Sequence, residues 1–196
     1  VGDKMTAQAA VQKLVDSGET APRSWIIQTT MDQKDYWAAY GEFIRLWKIN
    51  MDIKFIDTPS PIGNFVNVRI SKNHAYFSGQ GAFNDFGELI TGKVGKDLDL
   101  DQAYDAARRV GITILSVIKN DIGFEKVNKI VKILGLVNCT SDFLSQPKVI
   151  NGCSDLFVNF FGKEKGMHAR SAMGVYVLPN NIPVEIEAIV ELIYPR

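Results

Sequence analysis

Pro183-Val-Glu-Ile-Glu-Ala188 alternates apolar and acidic residues, and after Ile189 the pattern resumes with Val190-Glu-Leu192. In an extended strand, successive side chains point to opposite faces. Val184, Ile186, Ala188, Val190 and Leu192 therefore share one face, and Glu185, Glu187 and Glu191 share the other. The apolar row has to be buried, so the strand belongs to a sheet covered on one side. The preceding stretch, His168 to Pro179, also alternates. Ser171, Met173, Val175 and Val177 form one row, and Arg170, Ala172, Gly174 and Tyr176 form the other. This predicts two strands joined by a short turn at Pro179-Asn-Asn181, with the Ser171 row buried. The remaining face then offers one guanidinium, carboxylates and the open space left by Ala172 and Gly174. Such a face suits a small anion better than plain solvent.

Upstream, two helices and further strands are legible. Phe65 to Ser71 and His74 to Gly79 read as a hairpin around Lys72-Asn73. Gly79-Gln-Gly81 breaks the second strand and is too short for a dinucleotide fingerprint. Residues Ala82 to Asp97 read as loop with a short strand. Asp99 and Gln102 have the spacing of a capping box. Leu100, Ala103, Ala107, Val110, Ile114 and Ile118 then trace one helical face, with Gly123 past its end. Lys129 to Val137 is apolar on both faces apart from Lys132, as an interior strand should be. Ser145 and Pro147 open a second helix whose buried face is Val149, Ile150, Cys153, Leu156, Phe157 and Phe160, and Gly162 should stop it. Two helices, about six strands and no internal repeat predict an α+β layer with both helices on one face of one sheet.

Residues 1 to 50 differ in character. They hold all three tryptophans, Trp25, Trp37 and Trp47, and a helical stripe of Tyr36, Tyr40, Phe43 and Trp47. Aromatic stripes of this kind usually pack, so the segment reads as a mainly helical extension docked on the rest, or as a cap over a ligand site. Asn50 to Pro61, with Pro59 and Pro61, reads as the junction.

Charge and composition narrow the function classes. The 22 basic and 22 acidic residues cancel, which argues against a nucleic-acid footprint. Cys139 and Cys153 make no disulfide framework, and a reducing, cytoplasmic setting is the simpler reading. With His74 and His168 as the only histidines, a multi-histidine metal site is not expected, nor is another cofactor. No apolar run approaches the roughly 20 residues of a membrane span. Val1-Gly-Asp-Lys-Met5 lacks a signal-peptide layout.

Several motifs together resemble the Rid family, also called YjgF-like. They are Phe77-Ser-Gly-Gln80, Gly92-Lys-Val-Gly95, Gly135-Leu-Val-Asn138, Asp142-Phe143, Ala169-Arg-Ser171, Leu178-Pro179 and Val184-Glu-Ile-Glu-Ala188. The match keeps order and spacing from about residue 61 to 192 and leaves 1 to 50 outside. The chain thus divides into an extension, 1–50, and a Rid-like domain, 51–196. The resemblance implies a chorismate-mutase-like α+β fold with two helices on one face of a mixed sheet. It also implies a homotrimer whose ligand sites lie between subunits. Known members hydrolyse 2-imino and 2-enamino acids to 2-oxo acids and ammonia, some relatives act on aminomuconate-type compounds, and others have been called endoribonucleases.

Carried over by motif, Arg170 corresponds to the residue that binds the substrate carboxylate, and Glu185 to the acid that handles the attacking water. Ser78 lies in the Ser-Gly-Gln turn that lines the site. Phe65 stands where many deaminases have tyrosine, and Ala172 where many have cysteine, a position whose family role rests largely on backbone contacts. His168, before Ala169-Arg170, is unlike the best-known deaminases and is a reserve acid or base, its ordinary pKa being about 6.5. The resemblance therefore implies hydrolysis of a small carboxylated imine or enamine. The alternatives are that Arg170 and Glu185 form only a structural ion pair across the subunit interface, that the protein is a trimer that binds such metabolites or a partner without catalysis, and, least supported, that it is an endoribonuclease.

Overall fold

The computed structural model describes residues 53–193, so the helices and aromatic stripe expected in 1–50 fall outside the described residues. The strands are β1 (Val68–Ser71), β2 (His74–Gln80), β3 (Val127–Asn138), β4 (Ala169–Val175) and β5 (Val184–Leu192). The helices are α1 (Leu100–Val117) and α2 (Gln146–Gly166). The five strands form one sheet in the order β1-β2-β5-β3-β4. β3 and β4 run parallel and are linked through α2, whereas every other neighbouring pair is antiparallel. Both helices lie on one face: α1 packs on α2 and β5, and α2 packs on β3 and β4.

Local chemistry explains the helices. The Asp99 carboxylate accepts from the Gln102 amide at 2.8 Å, and the Gln102 side chain accepts from the Asp99 amide at 3.0 Å. This reciprocal cap satisfies two donors that a bare helix start leaves open. The expected row from Ala103 to Ile118 is buried, and the chain passes through a π-helical turn, Ile118–Ile122, before Gly123 ends it. In α2 the whole expected face from Val149 to Phe160 is buried. Gly162 interrupts the helix at φ 80, but helical turns resume as far as Gly166. Gly152 marks the closest approach of the two helices, since a Cβ there would overlap the Tyr104 carbonyl oxygen.

β5 also follows its pattern. Val184, Ile186, Ala188 and Val190 are buried beneath the helices. Each valine or isoleucine so buried contributes about 1.5–3 kcal/mol of transfer free energy.

The expected short turn joins β4 to β5, although β3 lies between the two strands in the sheet. The link at Pro179–Asn181 is a 3-10 turn that passes the end of β3, where the Asn138 amide donates to the Pro183 carbonyl at 2.9 Å. One expectation is corrected: the faces of β4 are reversed. Arg170, Ala172 and Gly174 stand level with Ile133, Gly135 and Val137 of β3, whose side of the sheet is the buried helix side. Ser171 and Met173 fall on the open face, and Met173 is 48% exposed. The small residues serve the helix: a Cβ on Gly174 would meet the Gln146 amide and the Cys139 sulfur, each at 2.9 Å. Gly174 thus makes room for the Gln146 and Cys139 side chains, and with them, Lys93 and Tyr176 it lines a cavity of about 570 Å³.

Candidate active site in two halves

Arg170 sits on the edge strand β4 and turns toward α2. Its guanidinium donates to Ser154 Oγ at 3.0 Å and to the Pro147 carbonyl at 3.1 Å. Five N–H donors are available on a guanidinium, so three remain uncommitted to the described residues. Ser154 Oγ also lies 3.1 Å from His168 Nε2, and His168 Nδ1 lies 2.7 Å from the Gly166 carbonyl. A carbonyl only accepts, so Nδ1 carries a proton and Nε2 of the neutral ring receives the Ser154 hydroxyl. Burial lowers the His168 pKa, the Gly166 hydrogen bond opposes that shift, and the Arg170 charge adds to it. Cys153 lies beneath this cluster, fully buried, and burial pushes its thiol far up despite the nearby Arg170. It is a small hydrophobe rather than a nucleophile.

Glu185 lies on the other side of the sheet. It stands level with Leu136 of β3 and alternates with buried Val184 and Ile186. Its carboxylate rests over Gly79, where any Cβ would overlap it. Gly79 falls within the irregularity of β2 between Phe77 and Gln80. Burial raises the Glu185 pKa, and repulsion from Glu187 raises it further. Among the described residues no hydrogen bond or ion pair offsets either effect. Ser78 donates its hydroxyl to the Val66 carbonyl at 2.7 Å, leaving its oxygen free to accept. Phe65, 47% exposed, and Ser78 line a groove of about 880 Å³ on the open face, together with Tyr76, Lys132, Leu134 and Glu187.

The sequence-predicted residues therefore divide. Arg170, Ala172 and His168 gather on the α2 side, whereas Glu185, Ser78 and Phe65 gather at the open face. The single shared face expected for Arg170 and Glu185 does not exist within one chain, and neither residue lines the large groove. The reason lies in the strand order: β3 separates β4 from β5, and the helix side of β4 is the Arg170 row. Ser154 went unnoticed because a serine in mid-helix carries no signal of its own. Lys93, in the Gly-Lys-Val-Gly motif, donates to Asn138 Oδ1 at 2.7 Å and to the Tyr176 carbonyl. It ties the end of β3 to the segment after β4. Among the described residues, no group of three His, Cys, Asp or Glu side chains could hold a metal ion. No described helix is long and apolar enough to cross a membrane.

Comparison with known proteins agrees with this architecture. The Trypanosoma cruzi protein TCP17 is 36% identical over 143 residues, spanning 72% of this chain and 89% of TCP17. An Agrobacterium tumefaciens protein of unknown function, solved as a crystal structure, is 36% identical with a TM-score of 0.66, covering 76% of this chain and 91% of that one. The Escherichia coli YjgF gene product is 25% identical with a TM-score of 0.50, over 70% of this chain and 98% of that one. The five-stranded mixed sheet with two helices on one face is the chorismate-mutase-like fold. Residues 55–192 match the family described as Endoribonuclease L-PSP, and the chain belongs to that family, the YjgF/Rid proteins.

Proposed function

We propose that the protein hydrolyses a small carboxylated imine or enamine, a 2-imino acid or an aminomuconate-like compound, to the oxo product and ammonia. The observation that carries this reading is Glu185, a half-buried carboxyl with a raised pKa and no neutralising partner among the described residues. A proton carrier working near neutrality benefits from the upward shift. Arg170 supplies the complementary function, since its free N–H donors suit a carboxylate fork. Glu185 takes a proton from water as the oxygen attacks the C=N carbon. The resulting carbinolamine receives that proton on nitrogen. Glu185, again a carboxylate, then takes the hydroxyl proton and passes it to the nitrogen as the C–N bond breaks, so the carbonyl forms, ammonia leaves and Glu185 returns to its starting state.

The two halves lie on opposite sides of one sheet, so the complete site pairs Arg170 of one protomer with Glu185 of its neighbour. We assign this pairing to a homotrimer in which the β4 edge that carries Arg170 meets the neighbour's open face, whose exposed Phe65 and Tyr76 call for cover. Sedimentation showing a monomer at micromolar concentration would sink it. Cys139 and Cys153, both buried and unpaired, suit a reducing compartment such as the cytoplasm.

A non-catalytic carboxylate-binding trimer is the second reading. Phe65 and Ala172 favour it, because neither brings a reactive polar group to the site. The ribonuclease reading that the family description suggests finds no support in the zero net charge. His168 is also a poor acid or base, with both ring nitrogens engaged. The deciding experiment is ammonia release from freshly generated acidic, aliphatic and aromatic 2-imino acids. Release that disappears in Arg170→Ala supports the hydrolase. Silence on all three classes, with tight binding of a 2-oxo acid, replaces it with the binding module.

A further inference from the structure

We propose that Ser154 and His168 are positioning residues that aim the Arg170 guanidinium at the ligand carboxylate. The inference rests on the reading of Arg170 as the carboxylate anchor. Arg170 has a long, rotatable stem on an edge strand, and losing that freedom on binding would weaken affinity. Two contacts from α2 restrain it beforehand: the Pro147 carbonyl and Ser154 Oγ. The serine contact has a defined direction only because of His168. A lone hydroxyl rotates to suit any neighbour. Here Gly166 fixes the Nδ1–H tautomer, so Nε2 must accept, and the Ser154 hydrogen points to it at 3.1 Å. The serine oxygen then turns its lone pairs to Arg170. The His168 ring is itself held edge-on against Phe157, centroids 6.0 Å apart. The chain Gly166–His168–Ser154–Arg170 thus begins at a backbone carbonyl and ends at a guanidinium edge. With the Pro147 contact it engages two of the five guanidinium N–H groups and leaves three for a carboxylate.

The test is pyruvate binding by calorimetry with the full-length protein, alongside thermal midpoints. Ser154→Ala is expected to raise Kd up to about tenfold, the most that ordering one long side chain costs on binding. Ser154→Thr, which keeps the hydroxyl, should restore most of it. His168→Phe keeps the ring against Phe157 but removes the acceptor, and should match Ser154→Ala. The double variant should be no worse than the poorer single, because both act through one hydroxyl. Where turnover is measurable, KM should rise with kcat nearly unchanged. If Arg170→Ala binds pyruvate as well as wild type does, the anchor reading itself fails. If Arg170→Ala loses binding while Ser154→Ala and His168→Phe keep wild-type affinity, the anchor stands and the relay is overturned. A loss that Ser154→Thr fails to restore, with lowered thermal midpoints in both serine variants, reports damage to α2 and also overturns it.

Discussion

Gly79→Ala tests whether the Glu185 carboxyl is held where the chemistry needs it. A Cβ built at Gly79 lies 2.7 Å from Glu185 Cδ and 2.9 Å from Cγ. Carbon atoms settle at about 3.5–4.0 Å, so the carboxyl group must retreat by about 1 Å. The alanine itself is not strained, because Gly79 is absent from the positive-φ glycines. The retreating group is the end of a flexible side chain, so the cost in stability should be small, under about 1 kcal/mol. The catalytic cost should be much larger, since a 1 Å misplacement can lower a rate by about 10²-fold. Steady-state ammonia release, pyruvate affinity and thermal midpoint should be measured on Gly79→Ala beside Glu185→Gln. The expected result is a kcat about 10²-fold lower for Gly79→Ala and about 10²–10⁴-fold lower for Glu185→Gln, with folding intact in both. Wild-type kcat in Gly79→Ala with an inactive Glu185→Gln would refute the seat. Wild-type kcat in both would remove Glu185 as the base.

Other consequences can be measured directly. Arg170→Lys keeps the charge but loses the planar fork, and should weaken 2-oxo acid binding by about 1.5–3 kcal/mol in calorimetry. Gly152→Ala sets a methyl group against the backbone of α1, at Tyr104 and Arg108, where nothing flexible can yield. It should destabilise by about 1–3 kcal/mol in urea titration, more than Gly79→Ala does. Burial holds the folded-state pKa of His168 below the ordinary 6.5, so the unfolded chain takes up that proton first as pH falls. Stability should therefore decline as pH drops from about 6.5 through the lower folded value, and His168→Phe should flatten that part of the pH–stability curve. Glu185 acts in the opposite sense: its raised pKa makes stability fall as pH climbs from 4.5 through the folded value, a slope that Glu185→Gln should remove.

Local periodicity and local hydrogen bonding could be read directly from the chain. The alternation of Val184 to Leu192 places Glu185 on the unburied face because strand geometry and burial leave no other arrangement. The reciprocal Asp99–Gln102 cap needs only residues three apart. The stripe from Val149 to Phe160 defines the buried side of α2 without knowledge of its neighbours. The family motifs add the fold, since their order and spacing along this chain are those of the family that residues 55–192 match. The direction of Arg170 could not be read in this way. β4 is an edge strand whose two rows are both weakly apolar, so alternation separates them without saying which is covered. That choice depends on where α2 crosses, on the contact of Gly174 with Gln146, and on hydrogen bonds to Ser154 and Pro147 from residues 16 and 23 positions away. The insertion of β3 between β4 and β5 is equally non-local, because strand pairing depends on the packing of the whole layer. The sequence alone thus determined the faces of β5, the cap of α1 and the buried side of α2. The tertiary structure decided that Arg170 and Glu185 face opposite ways, because the register with β3 turns one toward the helices and the other toward the open face.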